Sequence, residues 1–357
     1  MTTNETMRVG IIGTGWIAEK AAITLNGLSN CEAYAVGSRS QETADQFADK
    51  WSIAKAANER KQSGARSDSA EREQARPSVK AYGSYAELIA DPDVDIVYVG
   101  TPHSHHYDVT RAALLAGKPC LVEKAFMANA RQAKDMIDLA HERKVFLAEA
   151  IWTRYQPAVG IVRELISSGR IGEPRLVTAT LGYSMGEKPR IMRPDLCGGA
   201  LLDLGVYALN FVRMFFDADI VSMESQCVKS TTGMDLTNAI SLILADGVLC
   251  NLQSSAACVG DNIGVIAGTE GNLIIDNINN PQNITVNGPD RTYIETIRVP
   301  QQITGYEYQF LACRQALIDG LLEPREMPHE ETLYIMQLMD CLRQKWGVHY
   351  PMDDDNG

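Results

Sequence analysis

At 357 residues, with 45% apolar and 22% charged side chains, the chain is long enough for two domains, each built around its own core. A formal charge of −12 excludes the basic surface that a nucleic acid or an anionic membrane would select, so neither is expected as a partner. The polar opening from Met1 to Met7 carries no signal-peptide core, and no apolar run approaches the ~18 residues of a membrane span.

The first predicted strand, 8–12, runs into Gly13-Thr14-Gly15-Trp16-Ile17-Ala18 and a helix over 16–27. Gly13, Gly15 and Ala18 fill the small positions of a G-x-G-x-x-G/A turn. Gly13 makes the tight turn, Gly15 lets a diphosphate approach the backbone, and Ala18 lets helix and strand pack closely. The free N–H groups and positive dipole of the helix start then favour phosphate, so Gly13, Thr14, Gly15, Trp16 and Ile17 are candidate cofactor contacts. Strands are predicted next at 31–37, 94–99, 119–122 and 145–148, with helices at 41–56, 84–90, 104–117 and 129–143. That alternation predicts an α/β, doubly wound parallel sheet over residues 1–150. Residues 57–78 are polar and charged, which reads as a surface insertion, part frayed helix and part loop, or as an arm for a partner.

Beyond 150 the pattern changes. A helix over 155–168, a strand over 174–182 and a helix from Gly198-Gly199 to about Phe216 are followed by β-type runs at 219–229, 236–244, 247–256, 262–267, 271–276, 283–287 and 292–299. Short turns such as Ala245-Asp246-Gly247 predict hairpins. Helices over 305–320 and 329–346 close the chain. Residues 151–357 therefore read as an α+β domain, an open and mostly antiparallel sheet covered by helices. Asp353-Asp354-Asp355 reads as a solvated tail.

Residues that carry chemistry cluster at predicted strand ends. Strand 31–37 ends in Gly37-Ser38-Arg39-Ser40, with no acid to take ribose hydroxyls. Ser38 and Arg39 become candidate contacts to a 2′-phosphate, favouring NADP over NAD, unless Arg39 merely starts the next helix at the surface. Strand 94–99 ends in Gly100-Thr101-Pro102-His103-Ser104-His105-His106, and strand 119–122 ends in Glu123-Lys124. In an open parallel sheet such ends face the ligand. A lysine there is either a solvated charge or a partly desolvated group able to exchange a proton with an alcohol. No acidic cluster shares the histidine loop, so no metal is expected. Asp203 and Tyr207, four apart on an apolar helix, share a face with Asn210 and need either a polar pocket or water at the helix edge. Trp152 and Arg154, at the crossover, either line a substrate cleft or pack the domain interface. The eight cysteines form no C-x-x-C pair and several lie in apolar runs, which predicts reduced, buried thiols and a cytoplasmic location.

Six separated segments resemble the Gfo/Idh/MocA oxidoreductase family, and within it the dihydrodiol dehydrogenase and NADP-dependent D-xylose dehydrogenase branch. They are GIIGTGWIA at 10–18, KAYGSYAEL at 80–88, GTPHSHH at 100–106, EAIWTRY at 149–155, GGALLDLGVY at 198–207 and KWGVHYP at 345–351. The resemblance implies hydride transfer between NAD(P), NADP preferred, and a secondary alcohol, a ketone or the anomeric carbon of a small sugar, cyclic polyol or trans-dihydrodiol. It implies that the nicotinamide lies between the Thr101-Pro102 loop and the helix of Asp203 and Tyr207. Lys124, Asp203 and Tyr207 take the catalytic roles, His106 matches the histidine of T-P-N-x-x-H, and Thr101, Pro102, His106, Glu123 and Lys124 approach the cofactor. A homo-oligomer, dimer or tetramer, formed on the broad sheet face is also implied. Two positions depart from the pattern. Ala125 replaces the proline of E-K-P, relaxing the backbone after the lysine, and Tyr207 replaces a histidine. The alternative class is a non-catalytic protein of the same fold that senses NADP(H), which would need no proton relay.

Overall fold

The computed structural model describes residues 2–63 and 79–354, so residues 64–78 of the polar insertion lie outside the described residues. Two sheets organise the chain. The first contains β1 (Met7–Ile12), β2 (Cys31–Gly37), β3 (Lys80–Tyr82), β4 (Ile96–Val99), β5 (Cys120–Glu123) and β6 (Leu147–Ala150), all parallel, in the order β3-β2-β1-β4-β5-β6. Its connections carry α1 (Trp16–Asn26), α2 (Gln41–Ser63), α3 (Tyr85–Ala90), α4 (His106–Leu115) and α5 (Ala130–Arg143). Because helices cover both faces, β4, β5 and β6 are buried at every position, which explains the apolar run of β4 and makes Glu123 in β5 and Glu149 in β6 buried carboxyls.

The second sheet has eight strands in the order β14-β13-β12-β11-β7-β10-β9-β8. These are β7 (Pro174–Gly182), β8 (Ile220–Lys229), β9 (Asp235–Leu244), β10 (Leu249–Ser255), β11 (Gly264–Gly268), β12 (Asn272–Ile275), β13 (Asn283–Asn287) and β14 (Tyr293–Arg298). Every pairing is antiparallel except β7 with β10, which run parallel. One face packs on helices. These include α6 (Pro157–Ser167), the four-residue α7 (Pro189–Met192), and a π-helical turn (Leu201–Gly205) that continues as α8 (Val206–Arg213). Finally α9 (Glu307–Ile318) and α10 (His329–Trp346) close the chain.

Helix α9 does not stay with the second sheet. Phe310, Cys313 and Ala316 of α9 join Ala18, Ala22 and Leu25 of α1 and Phe47 and Trp51 of α2 in one buried cluster against β1 and β2. One whole face of the first sheet is thus completed from the far end of the sequence.

Several expectations are corrected. Helix 41–56 continues to Ser63. Strand β3 was not foreseen, being only three residues long. The helix expected from Gly198 starts as the π turn at Leu201. Residues Pro194–Arg213 are long and apolar enough to cross a membrane, against the expectation of no such run, yet 89% of that window is buried inside the protein. Asp353 is not a solvated tail: its carboxylate accepts from Arg343 at 2.7 Å and from Asn129, the cap of α5, at 3.1 Å.

Candidate active site

The order of strands reverses between β1 and β4, and a ligand crevice is expected beyond their carboxyl ends. Gly13 and Gly100 meet there. Gly13 has φ +108°, its N–H donates to Gly37 O at 3.0 Å, and a Cβ on it would lie 2.8 Å from Gly100 O. Packing within the protein itself therefore demands this glycine. Gly15 is different. Its φ is −80°, it caps the start of α1 without side-chain help, and a Cβ on it would meet nothing within 4 Å. The protein leaves open space above the free N–H groups of a helix start, a cradle that fits a diphosphate. Thr14 and Ile17 are half-buried beside it, and Trp16 is 66% exposed with the Lys20 ammonium 5.7 Å from its ring. At the end of β2, Ser38 is buried with its N–H on Tyr82 O at 3.0 Å, while Arg39 is exposed. Pro102 is exposed, and the half-buried Thr101 keeps a hydroxyl oxygen with no partner among the described residues. These residues fit an NAD(P)-type dinucleotide.

Lys124 follows β5 at the next strand end. Its Nζ donates to the backbone oxygen of Asp203 at 2.7 Å and to Asp203 Oδ1 at 3.2 Å, and it stands 5.0 Å from the centroid of the Tyr207 ring. The side chain is only 13% exposed. The peptide bond from Lys124 to Ala125 is cis. Ala125 is fully buried and its oxygen faces His106 Nδ1 at 3.1 Å, while Lys124 O faces His103 Nε2 at 3.2 Å.

Glu123 is buried and accepts the Tyr98 hydroxyl at 2.5 Å and the Lys124 N–H at 3.2 Å. Burial lifts its carboxyl to about 7, against the pull of Tyr98 and Lys124. Burial works the same way on Asp203, but there Lys124 and Arg190 outweigh it and hold the carboxyl well below the usual carboxylate range. The π turn that carries Asp203 is anchored by the buried Asp235, whose Oδ2 accepts the Leu201 N–H at 2.8 Å.

The structure brings Lys124, Asp203, Tyr207 and Trp152 together. Trp152 Nε1 donates to the Tyr207 hydroxyl oxygen at 3.0 Å, and its ring stacks on Tyr306 with centroids 4.0 Å apart. Burial first, then Tyr306 and Glu123, drive the Tyr207 phenol well above the ordinary tyrosine range, so it stays protonated.

Two candidates stand elsewhere. Arg154 does not line the cleft: both terminal nitrogens lie 3.0 Å from Glu331 Oε2, and one also reaches Asn210 Oδ1 at 3.0 Å, in a side chain 4% exposed. The interface-packing reading is the one realised, and Asn210 belongs to that network rather than to the site. His106 does not face the cleft either. It is fully buried, with Nε2 2.9 Å from Thr101 O and Nδ1 3.1 Å from Ala125 and Phe126 O, so it ties the Thr101 loop to the Lys124 loop from behind. Sequence reasoning missed Arg190, Tyr306 and His103. Arg190, on α7, donates through Nη1 to the Asp203 Oδ1 that Lys124 also contacts. His103 faces Cys197 O and Lys124 O, both at 3.2 Å, and burial, with His106 and Lys124, lowers its imidazole to about 3.

A dinucleotide cradle beside a lysine–carboxylate pair, in a cleft between a Rossmann sheet and a helix-covered open sheet, defines a nucleotide-dependent oxidoreductase. The chain belongs to the Gfo/Idh/MocA family. Residues 7–150 match the family model described as oxidoreductase family, NAD-binding Rossmann fold, and residues 160–274 match the GFO/IDH/MocA C-terminal domain. Trans-1,2-dihydrobenzene-1,2-diol dehydrogenase of Mus musculus is 31% identical, covering 97% of this chain and 99% of its own. D-xylose 1-dehydrogenase (NADP(+)) of Hypocrea jecorina is 35% identical over 76% of this chain and 78% of its own. A solved 3-ketoreductase from Actinomadura kijaniata in complex with NADP and TDP-benzene superposes with a TM-score of 0.79 at 25% identity, covering 95% of this chain and 98% of that one. The aldose-aldose oxidoreductase of Caulobacter crescentus shares the fold, with a TM-score of 0.79 at 20% identity over 96% of this chain and 98% of that one.

Proposed function

We propose that the protein is an NADP(H)-dependent dehydrogenase acting on the CH–OH carbon of a small sugar, a cyclic polyol or a trans-dihydrodiol. The observation that carries this reading is the Lys124 ammonium, sequestered and held by Asp203, at the carboxyl end of β5, with β4 between it and the β1 that leads to the cradle at Gly15. The diol and D-xylose dehydrogenases among the relatives support the substrate class, and the NADP named for the xylose enzyme agrees with an exposed Arg39 where an acid would favour NAD.

Gly13, Thr14, Gly15, Trp16, Ile17, Ser38, Arg39, Thr101, Pro102 and Glu123 would hold the dinucleotide, which supplies hydride acceptance or donation when bound. Lys124 moves the proton of the reacting hydroxyl at Nζ. Asp203 keeps that nitrogen oriented through two acceptors, and its own ionised state is secured by Lys124 and Arg190. Tyr207 offers its O–H to the same substrate oxygen, because its oxygen already accepts from Trp152. Mixing the protein with NADP or NAD and a panel of aldoses, polyols and trans-dihydrodiols, read at the reduced-nicotinamide absorbance, tests the reading. Turnover with NADP above NAD is expected. Silence across the panel despite tight NADP binding would overturn it and favour the sensor.

The reading extends to assembly and place. Leu176, Leu249 and Ile243 are all exposed and sit side by side in register across β7, β10 and β9. Such a row on an open sheet supports a homo-oligomer, dimer or tetramer, formed on this face. Eight free cysteines, five of them buried, support a reducing, cytoplasmic setting. Sedimentation of the wild type and of Leu249→Glu tests the interface; identical mass for both would reject this face.

A further inference from the structure

We infer that Arg190 is a substrate-binding residue which takes a hydroxyl on the carbon next to the reacting one, so that the enzyme selects vicinal hydroxylated substrates. The inference rests on the dehydrogenase reading and narrows it. The central observation is that two cations share one oxygen: Lys124 Nζ and Arg190 Nη1 both donate to Asp203 Oδ1. Two nitrogens on one acceptor stand no more than two hydrogen-bond lengths apart, about 6 Å. Oxygens on neighbouring carbons can bridge such a gap, one meeting the ammonium and the other the guanidinium.

Arg190 has donors to spare. A guanidinium carries five N–H groups. One serves Asp203, another points at Met185 Sδ 3.3 Å away, and the side chain remains 47% exposed beside a lysine that is 13% exposed. Structural arginines of this protein look different. Arg154 and Arg343 are each 4% exposed and bound to carboxylates through both terminal nitrogens.

The carboxylate decides which oxygen group fits. Asp203 Oδ2 is buried and has no hydrogen-bond partner among the described residues, an expensive condition for an ionised group. A hydroxyl can accept from Arg190 and at the same time donate to Oδ2. A carboxylate or phosphate in that place could only accept, and would be repelled by Asp203. Oδ2 is out of contact with solvent, so the hydroxyl reaches it where the half-exposed Arg190 side chain yields. The preferred neighbour is therefore a neutral hydroxyl, as in a 1,2-diol or an aldose with its 2-hydroxyl.

The test crosses substrates with variants. A vicinal diol or aldose and its analogue lacking the neighbouring hydroxyl are compared on the wild type, Arg190→Ala and Arg190→Lys. Both kcat/KM with NADP and calorimetric binding to the protein–NADP complex are measured. The wild type is expected to prefer the hydroxylated compound by at least about tenfold. Arg190→Ala should remove most of that preference by raising KM more for the hydroxylated compound than for its analogue, on top of any loss common to both from the missing partner of Asp203, and Arg190→Lys should restore part of the preference. Equal losses for both compounds, or a preference that survives Arg190→Ala, overturn the inference while the dehydrogenase reading stands. Arg190-dependent binding of vicinal compounds without any turnover would uphold it and sink the dehydrogenase reading. Neither binding nor turnover sinks both.

Discussion

The indole nitrogen of Trp152 donates to the Tyr207 hydroxyl oxygen at 3.0 Å, joining the crossover segment of the chain to α8. A phenol that already accepts this bond is directed to donate its own proton elsewhere, and the nearest cation, Lys124, has no use for it. The pair therefore sets the polarity of the phenol. Tyr207→Phe is expected to lower kcat by about ten- to a hundredfold with the fold intact. Trp152→Phe keeps an aromatic ring against Tyr306 but drops the bond, and is expected to cost less. If Trp152→Phe proves the more damaging of the two in kcat, the proposed role of the phenol is wrong.

On the proposed reading, turnover depends on Lys124. Lys124→Met preserves much of the stem's apolar volume and removes the exchangeable proton. Turnover should fall at least ~10²-fold, while NADP affinity, followed by fluorescence titration, stays within a few-fold. A variant that still turns over near the wild-type rate would take proton transfer away from this residue.

The two glycines of the turn make opposite predictions. At Gly13 the positive φ and the close Gly100 oxygen mean that Gly13→Ala should destabilise the fold by at least about 1–2 kcal/mol, seen as a lower melting temperature. At Gly15 the surrounding space is empty, so Gly15→Val should leave the melting temperature of the ligand-free protein nearly unchanged and weaken NADP binding. A large drop in thermal stability for Gly15→Val would contradict the cradle.

Glu149, on the strand beside β5, provides a pH test of stability. Its side chain is buried, and burial lifts the group from 4.5 to about 7 against the pull of Thr332 and Arg154. The folded protein keeps this proton where the unfolded chain has lost it. Stability is therefore expected to fall as pH rises from about 4.5 to about 7 and then to level off. Glu149→Gln abolishes the titration. Its stability relative to wild type should improve between pH 5 and pH 8 by on the order of 1–3 kcal/mol, measured by denaturant titration at both values. An offset that does not change with pH would show that the carboxyl ionises freely.

The sheets were legible because periodicity reports local environment. Strand 174–182, strand 283–287 and helix 329–346 have the boundaries that their patterns predict. The glycine turn was readable from its residue types and its place between strand and helix, whereas residue type alone left Lys124 and Asp203 open between a solvated and a site position, and only the family resemblance selected the second. Pairing was not readable: nothing in the alternation of β7 or β10 distinguishes a parallel neighbour from an antiparallel one, since both demand the same side-chain period. Arg190 was invisible for a related reason. It lies on a four-residue helix with no periodic signal, and only the fold brings it to Asp203 thirteen positions away. Asp353 misled because a charged residue near the end of the sequence looks solvated, whereas Arg343 pairs with it, and Arg154 stayed open between cleft and interface because the Glu331 that pairs with it lies far along the chain. His106 looked like a cofactor contact, but Thr101, five positions earlier, and Ala125, beyond the next strand, occupy its two nitrogens with their carbonyls.

Because α9 supplies Phe310, Cys313 and Ala316 to the wall beneath β1 and β2, the nucleotide half is not a detachable cassette. A chimera spliced after Ala150, with another family member's sheet domain behind it, would inherit a foreign lining for its own Rossmann core. Exchange of substrate domains by design must therefore carry residues 307–318 along with the first half, or rebuild that lining to match. By the same logic, drift in the tail of the chain is constrained by the head, and the two ends evolve as one surface.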